Sequence, residues 1–111
     1  MWVGISAPFG SRTRSRILVA LSLLGESHPR GLAPLLDSHL NSLHTALRGL
    51  ERDGLVATRS AGRTLLVMLD PRYFAGRELG RYLARLAEAD RGLAAAVAAL
   101  RRRPRRTGKP I

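Results

Sequence analysis

Leucines recur at intervals of three and four residues in the second quarter of the chain, at Leu40, Leu43, Leu47 and Leu50. This spacing places the four leucines on one face of an α-helix, which we expect to face a core. Gly54 can adopt the left-handed conformation that ends a helix, so we predict that this helix ends near residue 53. The opposite face of the helix is polar and consists of Asn41, Ser42, His44, Thr45, Arg48 and Arg52.

A first helix is predicted nearer the N-terminus. Ser11 can cap its start and Gly25 can stop it. Its apolar positions, again at helical spacing, are Ile17, Leu18, Leu21 and Leu24.

A loop and a short helix are predicted between these two helices. Pro29 and Gly31 indicate a loop over residues 26–31. The short apolar helix is then predicted to start near Gly31 or Leu32, because Pro34 is tolerated only in the first turn of a helix. Asp37 can take the turn conformation that joins the short helix to the next one.

After Gly54 the sequence pattern is typical of extended strands. The segment VATRS is followed by the turn residues AGR and then by TLLVML. Two such runs around a short polar turn predict a β-hairpin, with its tip at residues 60–63.

A long helical region is predicted at the C-terminal end, with Asp70 as its cap and Pro71 in its first turn. Its apolar positions follow alternating steps of four and three: Leu79, Leu83, Leu86, Leu93, Val97 and Leu100. Asp90 occupies the one missing heptad position. Two interpretations remain open: Asp90 is tolerated near solvent, or the helix breaks at residues 90–92 and Asp90 caps a new start. We favour the break.

The apolar stripe of this region is longer than one small domain can cover. We therefore predict that a second copy of the chain covers it, as a homodimer, and the alternative is packing on the same chain. The predicted dimerisation residues are Leu79, Leu83, Leu86, Leu93 and Val97.

The predicted elements define a mainly α protein with a small β-hairpin, which is an α+β fold. Residues 1–10 form an N-terminal arm, residues 11–70 contain the three helices and the hairpin, and residues 71–100 form the dimerisation helices. Residues 101–111 form a basic tail that we expect to be disordered. A chain of 111 residues has the size of one domain.

The charge of the chain favours a polyanionic partner. The formal net charge is +11, and residues 101–111 hold six of the 19 Lys and Arg and none of the Asp and Glu. Arginine predominates, which suits phosphate and guanine contacts, although GC-rich coding would produce the same bias. The tail is expected either to bind phosphates without sequence preference or only to keep the protein soluble.

The order of helix, short helix, helix, hairpin and long helix resembles the winged helix-turn-helix transcriptional regulators of the ArsR and MarR type. The resemblance covers roughly residues 11–88 and is strongest in LAPLLDSHLNSLHTALRGLERDGLV. Asp37 stands where that family often has Gly. His39 stands where Ser or Thr usually caps the helix, so Ser38 is a cap one residue earlier. The cysteine motif of metal-sensing members is missing.

The resemblance implies sequence-specific binding of double-stranded DNA, with a homodimer that reads a palindromic site. The residues that it implies for DNA contact lie on the polar helix face and at the hairpin: Asn41, Ser42, His44, Thr45, Arg48, Arg59 and Arg63. A solvated helix face and solvated turn arginines would have the same sequence. The alternatives are a winged-helix protein-interaction or RNA-binding module, or an accessory subunit of a separately encoded nucleotidyltransferase.

No catalytic, metal or cofactor motif is evident, so we predict no enzyme activity and no cofactor. The spacing of His28, His39 and His44 does not stack them on one helical face. The lack of cysteine excludes disulfides and is compatible with a reducing cytoplasm, where we expect the protein to act. No run is long enough to span a membrane, and the first ten residues do not resemble a signal peptide. No small-molecule effector is indicated.

Overall fold

The structure is a computed structural model and describes residues 8–102. Along this part of the chain the elements are α1 (Arg12–Leu24), β1 (Glu26–Ser27), α2 (Pro29–Leu35), α3 (Leu40–Arg52), β2 (Val56–Ala61), β3 (Thr64–Leu69), α4 (Gly76–Ala89) and α5 (Arg91–Arg102). The strands form an antiparallel sheet in the order β1-β3-β2. The predicted α+β class is confirmed.

Helix α1 has the predicted limits. The backbone N–H of Arg14 donates to Ser11 Oγ over 3.1 Å, which satisfies one free donor of the first turn. Gly25 has a φ of 87°, a conformation that glycine adopts without strain, and it ends the helix.

The prediction of a loop over residues 26–31 is wrong. Glu26 and Ser27 form β1, which pairs with Met68 and Val67 of β3. Helix α2 then begins at Pro29, where a missing N–H costs nothing, and Pro34 lies near its end. The strand pairing joins residues that are far apart in sequence, so the local pattern did not indicate it.

The turn between α2 and α3 has the predicted conformation, but the predicted N-terminal cap of α3 is wrong. Asp37 has a φ of 53°, which redirects the chain into α3. Ser38 does not cap α3, because its hydroxyl donates to the carbonyl of His39 over 3.2 Å. The helix ends at Asp53 and Gly54 has a φ of 82°, as predicted.

The hairpin is present with its tip inside the predicted residues. Ala61 pairs with Thr64, which leaves Gly62 and Arg63 as a two-residue loop. Gly62 has a φ of 65°, as hairpin turns of this length require.

The C-terminal region differs from the prediction at its start. Asp70 does not cap a helix there, because its carboxylate accepts the backbone N–H of Arg72 over 2.8 Å and forms a turn. Helix α4 begins only at Gly76. The predicted break is confirmed: α4 ends at Ala89, and the Asp90 carboxylate accepts the N–H of Leu93 over 3.0 Å at the start of α5.

A single hydrophobic core includes residues from α1, α2, α3, the sheet, α4 and α5. Four of the five predicted dimerisation residues are buried in this core: Leu83, Leu86, Leu93 and Val97. Leu79 is partly buried and packs against the same core. The prediction of contact with a second copy is therefore wrong for these four buried residues, because α1 packs against both α4 and α5 and covers them.

The two ends of the described chain pack on the body. Phe9 packs against the core and lies 5.8 Å from Tyr82, measured between ring centroids. Arg101 belongs to α5, and its guanidinium donates to the carbonyl of Leu23 over 2.9 Å. The rest of the predicted arm and tail, residues 1–7 and 103–111, lies outside the described residues.

Candidate nucleic-acid interface

Helix α3 presents one polar face to solvent, and its opposite face packs against the core and fixes its orientation. Leu43, Leu47 and Leu50 are buried in the core, so the helix cannot rotate without exposing them. Four of the predicted contact residues are exposed on the opposite face: Asn41, Ser42, Thr45 and Arg48. His44 is half-buried at the edge of that face.

Most of these side chains are available to an external partner. Within residues 8–102, the side chains of Asn41, Ser42, His44 and Arg48 make no hydrogen bond or ion pair. Thr45 Oγ1 donates to the carbonyl of Asn41 over 3.1 Å, a local bond that leaves the lone pairs of its hydroxyl available.

A groove between α1 and α3 borders this face on one side. Its basic residues are Arg14, Arg48 and Arg52, with the hydroxyls of Thr13 and Thr45 beside them. A second groove, at the N-terminal ends of α1 and α3, is lined by a mixed set: Arg12, Thr13, Arg16, Leu36, Asp37, Ser38, His39 and Ser42.

Two ion pairs fix arginines of α1 at this border. Arg14 donates to the Asp53 carboxylate at the end of α3, and this hydrogen bond holds the pKa of Asp53 below its ordinary value. Arg16 donates through Nε to Asp90 over 3.1 Å. Arg12 is exposed and makes no ion pair with a described residue.

A cleft of about 430 Å³ borders the polar face of α3 on its other side, between α2, α3 and the hairpin. Its residues are His28, Pro29, Arg30, Leu40, His44, Arg63, Thr64 and Leu65. The tip of the hairpin and the polar face of α3 thus share one concave surface.

The two hairpin arginines differ in their surroundings. Arg63 is exposed at the tip, lines the cleft and makes no ion pair within the described residues. Arg59 donates to Glu26 Oε1 over 3.2 Å and so pairs with β1. The structure therefore brings Arg63 to the candidate interface and places Arg59 in an ion pair outside the cleft.

Arg12 and Arg30 are not among the contact residues predicted from the sequence. Arg30 was assigned to a loop, whereas it lies in the first turn of α2 and lines the cleft. Pro29 was the signal that could have located it, because proline is typical of the first helical position.

Among residues 8–102 there is no group of three or more His, Asp or Glu side chains that could hold a metal ion. No helix in that part of the chain is long and apolar enough to cross a membrane. A scan against protein-family models finds no match, and a search of curated proteins finds no similar protein.

Proposed function

We propose that the protein binds double-stranded DNA with sequence specificity, as a winged helix-turn-helix transcriptional regulator. In this proposal α2 and α3 form the helix-turn-helix, α3 enters the major groove, and the hairpin of β2 and β3 is the wing. The observation that carries the proposal is the exposed face of α3, on which Asn41, Ser42 and Arg48 have no partner among the described residues.

The chemistry of this face suits base recognition. A major groove admits one α-helix, and each base pair presents a distinct pattern of donors and acceptors there. Asn41 can pair with adenine through its amide, and Arg48 can donate two hydrogen bonds to guanine. Short side chains at Ser42 and Thr45 allow the helix backbone to approach the bases.

The borders of the face suit the DNA backbone. Arg12 lies on the α1 side, and Arg30 and Arg63 lie on the hairpin side. Contacts with phosphates position a protein on the duplex without reading its sequence. A homodimer that reads a palindromic site stays a prediction. Its contact surface is not defined, because four of the five predicted dimerisation residues lie in the core of one chain.

Selection from a pool of random duplex DNA tests the proposal. We expect the purified protein to enrich one short sequence motif, since the α3 face presents several groups that can contact bases. Failure to enrich any motif would contradict sequence-specific binding.

Replacement of Arg48 by Ala tests the role of α3 in reading sequence. We expect the affinity for the selected duplex to fall by about 1 to 3 kcal/mol, because a bidentate base contact is lost. The affinity for random duplex should fall less. Arg77→Ala, at an exposed position of α4, removes the same charge and should leave the ratio of the two affinities unchanged. If the affinity falls equally for both duplexes, Arg48 contacts a phosphate and does not read a base.

A further inference from the structure

The most exposed aromatic side chain among residues 8–102 is Phe74, which is 92% exposed. It lies in the segment between β3 and α4. Its ring centroid is 5.0 Å from that of Tyr73, and Tyr73 packs against the core. Contact with Tyr73 therefore orients Phe74, while almost all of its flat apolar ring faces solvent.

Two arginines follow Phe74 on the exposed side of α4. Arg77 and Arg81 lie one helical turn apart, because residues four apart share a face of a helix. Both are exposed, and neither makes an ion pair with another described residue. Glu78 lies beside them in the first turn of α4, where the helix dipole favours an acid. Two arginines against one glutamate leave this side of α4 with a net positive charge.

A second aromatic ring lies one turn after Glu78. Tyr82 is 44% exposed, and its ring centroid is 5.8 Å from that of Phe9. We call this surface the aromatic–arginine patch, which consists of Phe74, Arg77, Glu78, Arg81 and Tyr82.

The aromatic–arginine patch is separate from the candidate duplex interface. None of its residues lines the two grooves or the cleft beside α3. Helix α4 packs against α1 and α5, whereas α3 packs against α1, α2 and β2. A ligand of the patch therefore contacts a surface that the proposed function does not use.

We propose that the aromatic–arginine patch binds single-stranded nucleic acid. An unpaired base can stack on an exposed aromatic ring, whereas the bases of a duplex already stack on one another. Phe74 stacks on a base, and Arg77 and Arg81 contact phosphates of the same strand. Every base has a flat π-face, so the patch binds without sequence preference. An acidic peptide matches the arginines by charge, but the exposed flat ring favours bases.

Two oligomers of about eight residues separate base stacking from charge: oligothymidylate, and an abasic strand with the same phosphates. We expect the wild type to bind oligothymidylate about tenfold more tightly than the abasic strand. Phe74→Leu should lose most of this difference, because leucine is apolar but has no flat ring. Phe74→Trp should retain it. Circular dichroism checks that both variants are folded, and the comparison of the oligomers on the wild type requires no variant.

The salt dependence of oligothymidylate binding tests the arginines. We expect the slope of log K against log salt to become shallower by about 0.7 in Arg77→Gln and in Arg81→Gln, which is the value for one phosphate of a single strand. Glu78→Gln should tighten binding, because it removes the negative charge of the patch. Arg91→Gln is the control and should keep the wild-type slope, since Arg91 is exposed beyond the far end of α4, about 20 Å from its start.

Three outcomes overturn this inference. The first is a wild type that binds neither oligomer or binds both equally, as a patch for acidic peptides would. The second is a folded Phe74→Leu protein with the wild-type preference for oligothymidylate. The third is a slope that changes equally in Arg91→Gln, which shows a general effect of charge.

This inference and the proposed function fail independently. Phe74→Leu should leave the affinity for the selected duplex unchanged, and Arg48→Ala should leave the affinity for oligothymidylate unchanged. A protein that enriches no duplex motif but prefers oligothymidylate through Phe74 contradicts the proposed function alone.

Discussion

Gly49 lies beneath the side chain of Arg14, where α1 contacts α3. A Cβ atom at Gly49 would lie 2.7 Å from Arg14 Nη1, which is too close for an undisturbed guanidinium. Arg14 in turn pairs with Asp53 at the end of α3. A residue without a side chain in the middle of α3 therefore allows an arginine of α1 to reach the end of that helix.

We expect Gly49→Ala to be nearly neutral in the wild type and stabilising in an Arg14→Ala background. Alanine favours the helix by about 1 kcal/mol over glycine. A Cβ atom at position 49 opposes this gain, because it would displace the Arg14 guanidinium that pairs with Asp53. Without Arg14 only the helix preference remains. Urea denaturation of the four proteins in this cycle measures the difference, and equal effects in both backgrounds would show that Arg14 does not restrict position 49.

The same ion pair predicts a dependence of stability on pH. The hydrogen bond from Arg14 lowers the pKa of Asp53 in the folded state. The carboxylate therefore stabilises the fold above its unfolded-state pKa, and this contribution is lost as the pH falls through the folded-state pKa. We expect the stability advantage of the wild type over Asp53→Asn to shrink below about pH 4. An advantage that is constant from neutral pH downwards would contradict this.

At the scale of elements, Asp90 joins three helices. It ends α4, one carboxylate oxygen accepts the N–H of Leu93 in α5, and the other accepts Nε of Arg16 in α1. Asp90 is buried and the Arg16 side chain is partly buried, so competition from water is reduced at both bonds. One side chain thus links α1, α4 and α5, in addition to the hydrophobic core that they share.

Asp90→Ala should lower the free energy of unfolding by about 2 to 4 kcal/mol. The change removes a helix cap and also the carboxylate that faces a partly buried guanidinium. Asp90→Asn keeps an oxygen that can cap α5 and should cost less. Chemical denaturation ranks the two variants, and equal losses would mean that the cap contributes little.

At the scale of the whole molecule, the C-terminal helices belong to the core of the same chain. Leu83 is 0% exposed, and the core that contains it also contains Ile17 of α1 and Val67 of β3. We therefore expect the described chain to unfold as one cooperative unit.

Leu83→Ala should cost about 2 to 5 kcal/mol and should leave the oligomeric state unchanged, because the cavity opens inside one chain. Arg81→Ala, at an exposed position of the same helix, is the control and should change stability by less than about 0.5 kcal/mol. Denaturation and light scattering give the two readouts. A folded variant that dissociates from a wild-type dimer would restore Leu83 to an interface between chains.

Features that depend on neighbours in the sequence were predictable. Ser11 and Gly25 mark the limits of α1, and Gly54 and Asp90 mark two further helix ends, because caps and left-handed turns involve only a few consecutive residues. The exposed face of α3 followed from helical spacing alone. The predicted start of the last helix at Asp70 is wrong. Local sequence is ambiguous there, since an aspartate that precedes a proline suits a turn as well as a helix cap.

Only the tertiary structure shows which residues cover the apolar stripe and which residues pair with the hairpin arginines. An apolar stripe has the same spacing whether it packs on α1 or on a second copy, so the sequence could not place Leu83 in the core of one chain. Arg59 and Arg63 are equivalent in the hairpin sequence, and only the pairing of β1 with β3 brings Glu26 to Arg59. The sequence by itself determined α1, α3, the hairpin and the polar face of α3, because these depend on local periodicity. The core and the cleft depend on contacts between distant residues.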